Sequence, residues 1–280
     1  MKANFNIEKA RNTLIEAAKA AGEILKEKWV ATQNDKIEVE FKGTVDIVTE
    51  ADKMAESAII RIFEENTPDF AILAEESGDH LKEDATHRWV IDPLDGTTSF
   101  AHGHPFFSVS IALQDLGTHD IILACVYNPT LEELFFAERG KGATRNGNKI
   151  HVSKTTELIN SLVSSGFPYD RRECEGELES NIPYFNSIIT KIRGFRRNGS
   201  AALDLCYVAC GRQDAYWEWK LKLWDLAAGL LIVEEAGGKV SDLNGNPIDT
   251  KTDRIHILAS NGKIHDKIVQ VFKDSAAKHK

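Results

Sequence analysis

The chain has 280 residues, 42% hydrophobic and 28% charged, the composition of a globular protein with apolar material for one large or two closely packed domains. Acidic residues outnumber basic ones 43 to 34, and the net charge of -9 disfavours non-specific attraction to phosphate backbones, so nucleic acid is not the expected partner. Cys125, Cys174, Cys206 and Cys210 follow neither a disulfide-framework nor a zinc spacing, no secretory signal opens the chain and no apolar run has bilayer length, so the expected setting is a reducing cytoplasm without membrane contact.

Ile7, Ala10, Leu14, Ala17, Ala18, Ala21, Leu25 and Trp29 recur at helical spacing, which predicts a long helix over 6–29. After a polar link, "IEVEF" (37–41) alternates as a strand does. Thr49 precedes a second helix with Met54, Ala55, Ala58, Ile59, Ile62 and Phe63 on one face, ended by the proline of "NTPD". From Phe70 onward "AILAEE", "RWVID", "FFSVSIAL", "IILACVYN" and "ELFFAE" read as strands. "RGKGATRNGNKI", with three glycines and an Asn-Gly pair, reads as a turn or hairpin. It marks the expected boundary between an N-terminal α+β part (1–150) and a C-terminal α/β part (151–280). The second part alternates strand "LVSSGF", a helix before "KIRGF", strand "GFRR", a helix over 200–210 and strand "DAYWEW". A helix over 226–236, strands "KVSD" and "HILAS", and a helix from Lys263 complete it. Such alternation predicts a layered α/β fold.

Acidic residues collect at the ends of these elements: Asp52 in "VDIVTEAD", Glu75 and Glu76 in "LAEESG", Asp92 and Asp95 in "IDPLDGT", and Asp225 in "LWDLAAG". Taken singly, most have plain structural explanations: Asp52 as part of a capping box with Thr49, Asp225 as an N-cap, the glutamates as solvated loop residues. The pair in "DPLDGT" resists that reading. Pro93 predicts a sharp turn just after the strand, so Asp92 and Asp95 can face one point and the Leu94 carbonyl can join them. Carboxylates that close raise each other's pKa unless a cation compensates, and an all-oxygen donor set suits Mg²⁺. Gly96 permits close backbone approach, and a helix starting there would offer N–H groups to an anion beside the Thr97 hydroxyl. The stretch is suited to holding phosphate against metal.

Glu218 alternates with Trp217 and Trp219, which places it on the opposite strand face, consistent with a pocket. Arg196 and Arg197 suit either strand-end solvation or contact with a second anionic group on a substrate. His102 and His104 lie on a Gly/Pro loop after the carboxylate pair and are read as structural or surface residues.

"WVIDPLDGTTSF" and "WDLAAGLLIVEEAGG" resemble the two signature motifs of the inositol monophosphatase family of Mg²⁺-dependent, lithium-sensitive phosphatases. The resemblance extends through "KGTVDIVTEAD", "AEESG" and "RRNGSAALDL" in the expected order. It implies an αβαβα layered sandwich of the inositol monophosphatase and fructose-1,6-bisphosphatase type. It also implies that Glu75, Asp92 and the Leu94 carbonyl hold one Mg²⁺, that Asp92, Asp95 and Asp225 hold a second, and that a weaker third sits near Glu75. Asp52, Thr97 and Glu75 would form the catalytic set, the first two as the dyad that orients and deprotonates water. Gly96 and Thr97 would receive the phosphate, and Glu218, Ala201 and Arg196 would line the substrate side. Glu76 and Lys42 would support the ligands from outside. Ala74 stands where the family usually has glycine and Ser99 where it usually has asparagine; neither change removes a ligand. The implied reaction is hydrolysis of inositol monophosphate by a homodimer. A fructose-1,6-bisphosphatase or a dual sugar/nucleotide phosphatase is the related alternative, and a regulatory protein binding a protein or RNA partner is the alternative of a different class.

Overall fold

The apolar spacing of the N-terminal segment is realised as α1 (Ile7–Thr32), which buries Ala10, Leu14, Ala17, Ala18, Ala21 and Leu25 along one stripe. The computed structural model describes residues 5–32, 40–41, 47–174, 176–252 and 254–278. Short strands β1 (Glu40–Phe41) and β2 (Ile47–Val48) pair antiparallel ahead of α2 (Glu50–Asn66). Thr49 caps α2 as its sequence suggested: its hydroxyl accepts from Ala51 N at 3.2 Å, and Asp52 Oδ2 accepts from Thr49 N at 2.8 Å.

The first large sheet comprises β3 (Ala71–Ala74), β4 (Gly78–His80), β5 (His87–Asp95), β6 (Ser108–Asp115), β7 (Ile121–Asn128), β8 (Glu133–Glu138), β9 (Gly142–Arg145) and β10 (Asn148–Lys149). Its order is β10-β9-β8-β7-β6-β5-β3-β4, and every pairing is antiparallel except that of β3 with β5. The Asn146-Gly147 pair, with φ of 49° and 78°, turns the β9–β10 hairpin. Between β5 and β6 lies the short helix α3 (Thr97–Ala101).

The second sheet contains β11 (Leu162–Ser165), β12 (Gly194–Arg196), β13 (Ala215–Leu221), β14 (Lys239–Ser241) and β15 (Ile255–Ser260) in the order β12-β11-β13-β15-β14. Helices α4 (Ile182–Ile188), α5 (Ala201–Ala209), α6 (Leu223–Glu235) and α7 (His265–Lys278) complete the fold. Helices α1 and α2 cover the outer face of the first sheet, α5 and α6 lie between the sheets, and α4 and α7 lie against the outside of the second. This is the αβαβα sandwich. The middle layer explains why α5 and α6 are apolar on nearly every side: each has a sheet above and below it.

Among the boundaries that differ from the sequence reading, two bear on the site. Pro93 does not end its strand; β5 runs on to Asp95 through a register shift against β6, with Asp92 opposite Ser110 and Asp95 opposite Ser108. Helix α6 begins at Leu223 rather than Leu226, so Asp225 is not the N-cap but lies in the first turn, where its Oδ2 accepts from Lys222 N at 2.7 Å.

Candidate active site

The site starts from a register. Strands β3 and β5 are parallel with Ala74 beside Ile91, and Glu75 N continues the ladder by donating to Ile91 O at 3.1 Å. Glu75 therefore leaves its strand beside Asp92. In a regular strand, residues three apart point to opposite faces, which would separate Asp92 from Asp95. The extra residue of the bulge at Pro93-Leu94 cancels that alternation and lets both carboxylates address the same side. A proline fits there because a bulge leaves one residue outside the ladder. Asp92 Oδ1 accepts from Leu94 N at 3.0 Å, which fixes the turn of the bulge.

Helices from the middle layer meet this strand end. Asp95 lies at the N-terminus of α5, where Oδ2 accepts from Ser200 Oγ at 2.6 Å and from Ala202 N at 2.7 Å, and Oδ1 from Ala201 N at 3.2 Å. Burial raises the Asp95 carboxyl to about 6, although these donors and Arg197 pull it down. Asp92 and Asp225 have less help. Burial pushes both well above the usual carboxylate range, and the charges of Glu75 and Asp95 push further in each case. Asp92 also hydrogen-bonds Glu75, an arrangement in which one carboxyl keeps its proton.

Among the described residues, none of Asp92, Asp95 and Asp225 forms an ion pair with lysine or arginine, and no three acidic, histidine or cysteine side chains already converge on a finished ion position. The donor set is all oxygen and mutually repelling, with Asp92 and Asp95 buried and Asp225 half-buried. It fits hard divalent cations, which would replace the shared proton as the compensating charge.

Next to these acids stands a hydroxyl–carboxylate pair. Thr97 Oγ1 lies 3.1 Å from Asp52 Oδ1 and 3.1 Å from the Leu94 carbonyl. Asp52 Oδ2 accepts from Thr49 Oγ1 at 2.6 Å, so one oxygen serves the helix cap while the other faces Thr97. The cap leaves one oxygen of Asp52 directed at Thr97. Burial lifts Asp52 to about 6 despite the Thr49 bonds. Gly96, with φ of 99°, opens α3 from a left-handed conformation; a Cβ there would meet Phe106 O at 3.0 Å and Gly199 O at 3.1 Å.

These groups border a cavity of about 300 Å³ that also includes Gly166, Pro168, Arg197, Glu218 and Lys220 on the side of the second sheet. Glu75, Asp92, Leu94, Asp95, Gly96, Thr97, Ala201, Glu218 and Asp225 all line it. Arg196 does not: it is exposed, with Nη1 donating to Phe195 O at 2.9 Å, and its neighbour Arg197 takes the cavity position. Buried Asp52 and half-buried Glu76 are not among the lining residues. Lys42 lies outside the described residues. The departure at Ser99 is accommodated by a contact from its hydroxyl to Asn198 O at 3.4 Å.

Sequence reasoning missed two residues. Buried Glu56 accepts from Glu76 N at 2.9 Å and holds the turn that carries Glu75; its position on the buried face of α2 was the available signal. Lys220 sits at φ 60°, with its amine 2.9 Å from both Asp170 and Glu179, and gave no signal because it depends on a strand irregularity.

Known proteins share this arrangement of elements. In a crystal structure of the extragenic suppressor protein SuhB from Bartonella henselae, 40% identical, the match covers 94% of this chain and 97% of that one at a TM-score of 0.86. The inositol monophosphatase from Anabaena (Nostoc) sp. is 40% identical over 96% of this chain and 97% of that one, at 0.83. In sequence, an inositol-1-monophosphatase of Synechocystis sp. is 47% identical, covering 92% of this chain and 86% of its own length. The Nus factor SuhB of Pseudomonas aeruginosa is 42% identical, covering 90% and 91%. The profile of the inositol monophosphatase family matches residues 6–277. With the sandwich, the order of its elements and nearly the full length in agreement, the chain belongs to the inositol monophosphatase family.

Proposed function

We propose that the chain is a Mg²⁺-dependent phosphomonoesterase that releases inositol and phosphate from inositol monophosphate. The observation that carries this reading is that Asp92, Asp95 and Asp225, buried or half-buried, face one another with no lysine or arginine ion pair among the described residues, beside the Thr97–Asp52 pair. Glu75, Asp92 and the Leu94 carbonyl would hold one Mg²⁺, and Asp92, Asp95 and Asp225 a second, with a weaker third near Glu75. Bound there, the cations supply Lewis acidity, a more acidic water and charge stabilisation for the departing alkoxide.

The chain's own residues supply positioning and proton transfer. Thr97 accepts a proton from the attacking water as its own hydroxyl proton moves to Asp52 Oδ1, 3.1 Å away. A base lifted to about 6 remains ionised at neutral pH while being basic enough to receive it. The Gly96 and Thr97 backbone at the start of α3 receives the phosphate, and Glu218 accepts hydrogen bonds from hydroxyls of the leaving alcohol. Turnover of a panel of phosphomonoesters with and without Mg²⁺ tests the reading: Mg²⁺-dependent release of phosphate from inositol monophosphate is expected, and no hydrolysis of any small phosphomonoester overturns it.

Two other readings have an observation in their favour. Arg197 at the cavity wall could face a second phosphate, so fructose 1,6-bisphosphate and a nucleotide phosphate such as 3′-phosphoadenosine 5′-phosphate belong in the panel. Relatives named Nus factor SuhB favour a role in binding a protein or RNA partner. Comparing wild type with Asp95→Asn separates the two, since binding would persist where hydrolysis stops. Lithium inhibition and a homodimer are further parts of the proposal, read by activity in Li⁺ and by light scattering.

A further inference from the structure

We propose that Gly166 is a specificity-determining residue: by lacking a side chain just past β11, it leaves the slot from which the Glu218 carboxylate faces the leaving-alcohol end of the cavity. This rests on the phosphatase reading and on Glu218 as the group that recognises hydroxyls.

A Cβ built on Gly166 would lie 2.0 Å from each Glu218 carboxylate oxygen and 2.1 Å from Cδ. No side chain, however small, coexists with that carboxylate where it stands. The backbone at Gly166 has little room to yield. Its carbonyl accepts from Asn181 Nδ2 at 2.6 Å and from Ser165 Oγ at 3.0 Å. Asn181, fully buried, also donates to Ser165 Oγ at 2.7 Å and accepts from Trp217 Nε1 at 2.7 Å, tying the end of β11 to β13. Glu218 is the movable partner, a flexible chain anchored at its tip by the hydroxyl of buried Tyr216, which donates to Oε2. Gly166 itself is not among the glycines in the left-handed region, so alanine suits its backbone. A methyl group there should displace the carboxylate and leave the fold in place.

The test compares wild type, Gly166→Ala, Glu218→Gln and the double variant on inositol monophosphate and on p-nitrophenyl phosphate, whose leaving group carries no further hydroxyls, with Mg²⁺ throughout. Burial lifts the Glu218 carboxyl to about 7, so the comparison is made at about pH 8, where losing one hydrogen bond to the charged acceptor costs about 1.5–3 kcal/mol, or roughly ten- to a hundredfold. Gly166→Ala is therefore expected to raise KM for inositol monophosphate and to lower the ratio of the two kcat/KM values about tenfold or more. Glu218→Gln should lower it similarly, and the double variant no further. Tyr216→Phe, which frees the tip of Glu218, should move the ratio in the same direction and serves if Gly166→Ala fails to fold. If Glu218→Gln loses discrimination while Gly166→Ala, or Tyr216→Phe in its place, keeps it, the proposal is overturned and the phosphatase reading stands. If Glu218→Gln keeps it, the proposal is overturned as well. If wild type hydrolyses neither ester, both readings fall together.

Discussion

Acids at the core and around the cavity occur in two kinds of surroundings in this molecule. Glu133, on β8, is 8% exposed and is gripped by the Arg212 guanidinium at 2.5 and 2.6 Å, with Arg145 at 3.4 Å. Half-buried Asp170 and exposed Glu179 likewise share the amine of the cavity-lining Lys220, and Arg254 stands 3.7 Å from Asp170. Asp92, Asp95 and Asp225 are instead surrounded by one another and by backbone donors. A buried charge left uncompensated costs several kcal/mol. The first kind carries its counter-charge in the sequence; for the second, the proposed Mg²⁺ would supply it, beyond the more distant pull of Arg197 on Asp95. The surroundings differ even within the site: Asp95, held by two amides and a hydroxyl at the α5 terminus, is raised to about 6, while Asp92 and Asp225, with one backbone donor each, are pushed well above the usual carboxylate range by burial.

The largest expected effect comes from neutralising one of the unpaired acids. Asp225→Asn should lower kcat on the order of 10²–10³-fold, as the loss of one preorganised electrostatic group does. It should also raise the melting temperature of the metal-free protein, because a repelling charge is gone. A melting temperature that falls steeply would break the contrast. Next is Thr97→Val, which removes the hydroxyl between Asp52 and Leu94 O; a loss of about 10²-fold in kcat with Mg²⁺-induced stabilisation retained is expected, on the scale of a general-base group.

Substituting Arg212 should act with the opposite sign on stability. Arg212→Ala leaves Glu133 buried beside the more distant Arg145, and because the Arg212 side chain is 39% exposed the expected cost is discounted to about 1–3 kcal/mol. Denaturant unfolding measures it.

The smallest effect is the pH dependence. Asp52 and Asp95 have folded values of about 6 against 3.8 in the ordinary carboxyl, so their protonated forms are favoured by the fold. Their contribution is fully present below the ordinary value and is lost as pH rises through the folded one. Metal-free protein should therefore gain stability from these groups as pH falls from about 7 toward 4, and saturating Mg²⁺ should flatten that slope. His265, fully buried between Ser241 Oγ at 2.8 Å and Ser260 Oγ at 2.9 Å, provides the counter-case. Burial lowers it from 6.5 to about 4, so its contribution is present above 6.5 and is lost as pH falls through about 4. Thermal melts of wild type and His265→Gln across that range distinguish the two slopes; identical curves would refute the role given to His265.

Local patterns made much of the fold readable. Helix α1 announced itself through its alanine and leucine stripe, α2 through Thr49 and its capping box, and the β9–β10 hairpin through Asn-Gly. The acids at element ends were visible as residue types, and the two motifs that joined them came from resemblance. What stayed hidden depends on strand irregularities and tertiary placement. The bulge at Pro93-Leu94, rather than a strand end, aligns Asp92 with Asp95, and proline's fixed φ is compatible with either. Whether Arg196 or Arg197 faces the cavity is decided where β12 ends, one residue being enough to exchange the faces. The Gly166–Glu218 contact joins residues far apart in sequence and depends on an atom that glycine does not have.

The most direct test of the central claim is calorimetric titration of the metal-free protein with Mg²⁺ near pH 6, repeated in buffers of different ionisation enthalpy. If buried acids share protons where cations belong, binding should release protons at that pH, with the release shrinking toward pH 8. Binding without proton release near pH 6, or no binding at all, would contradict the account.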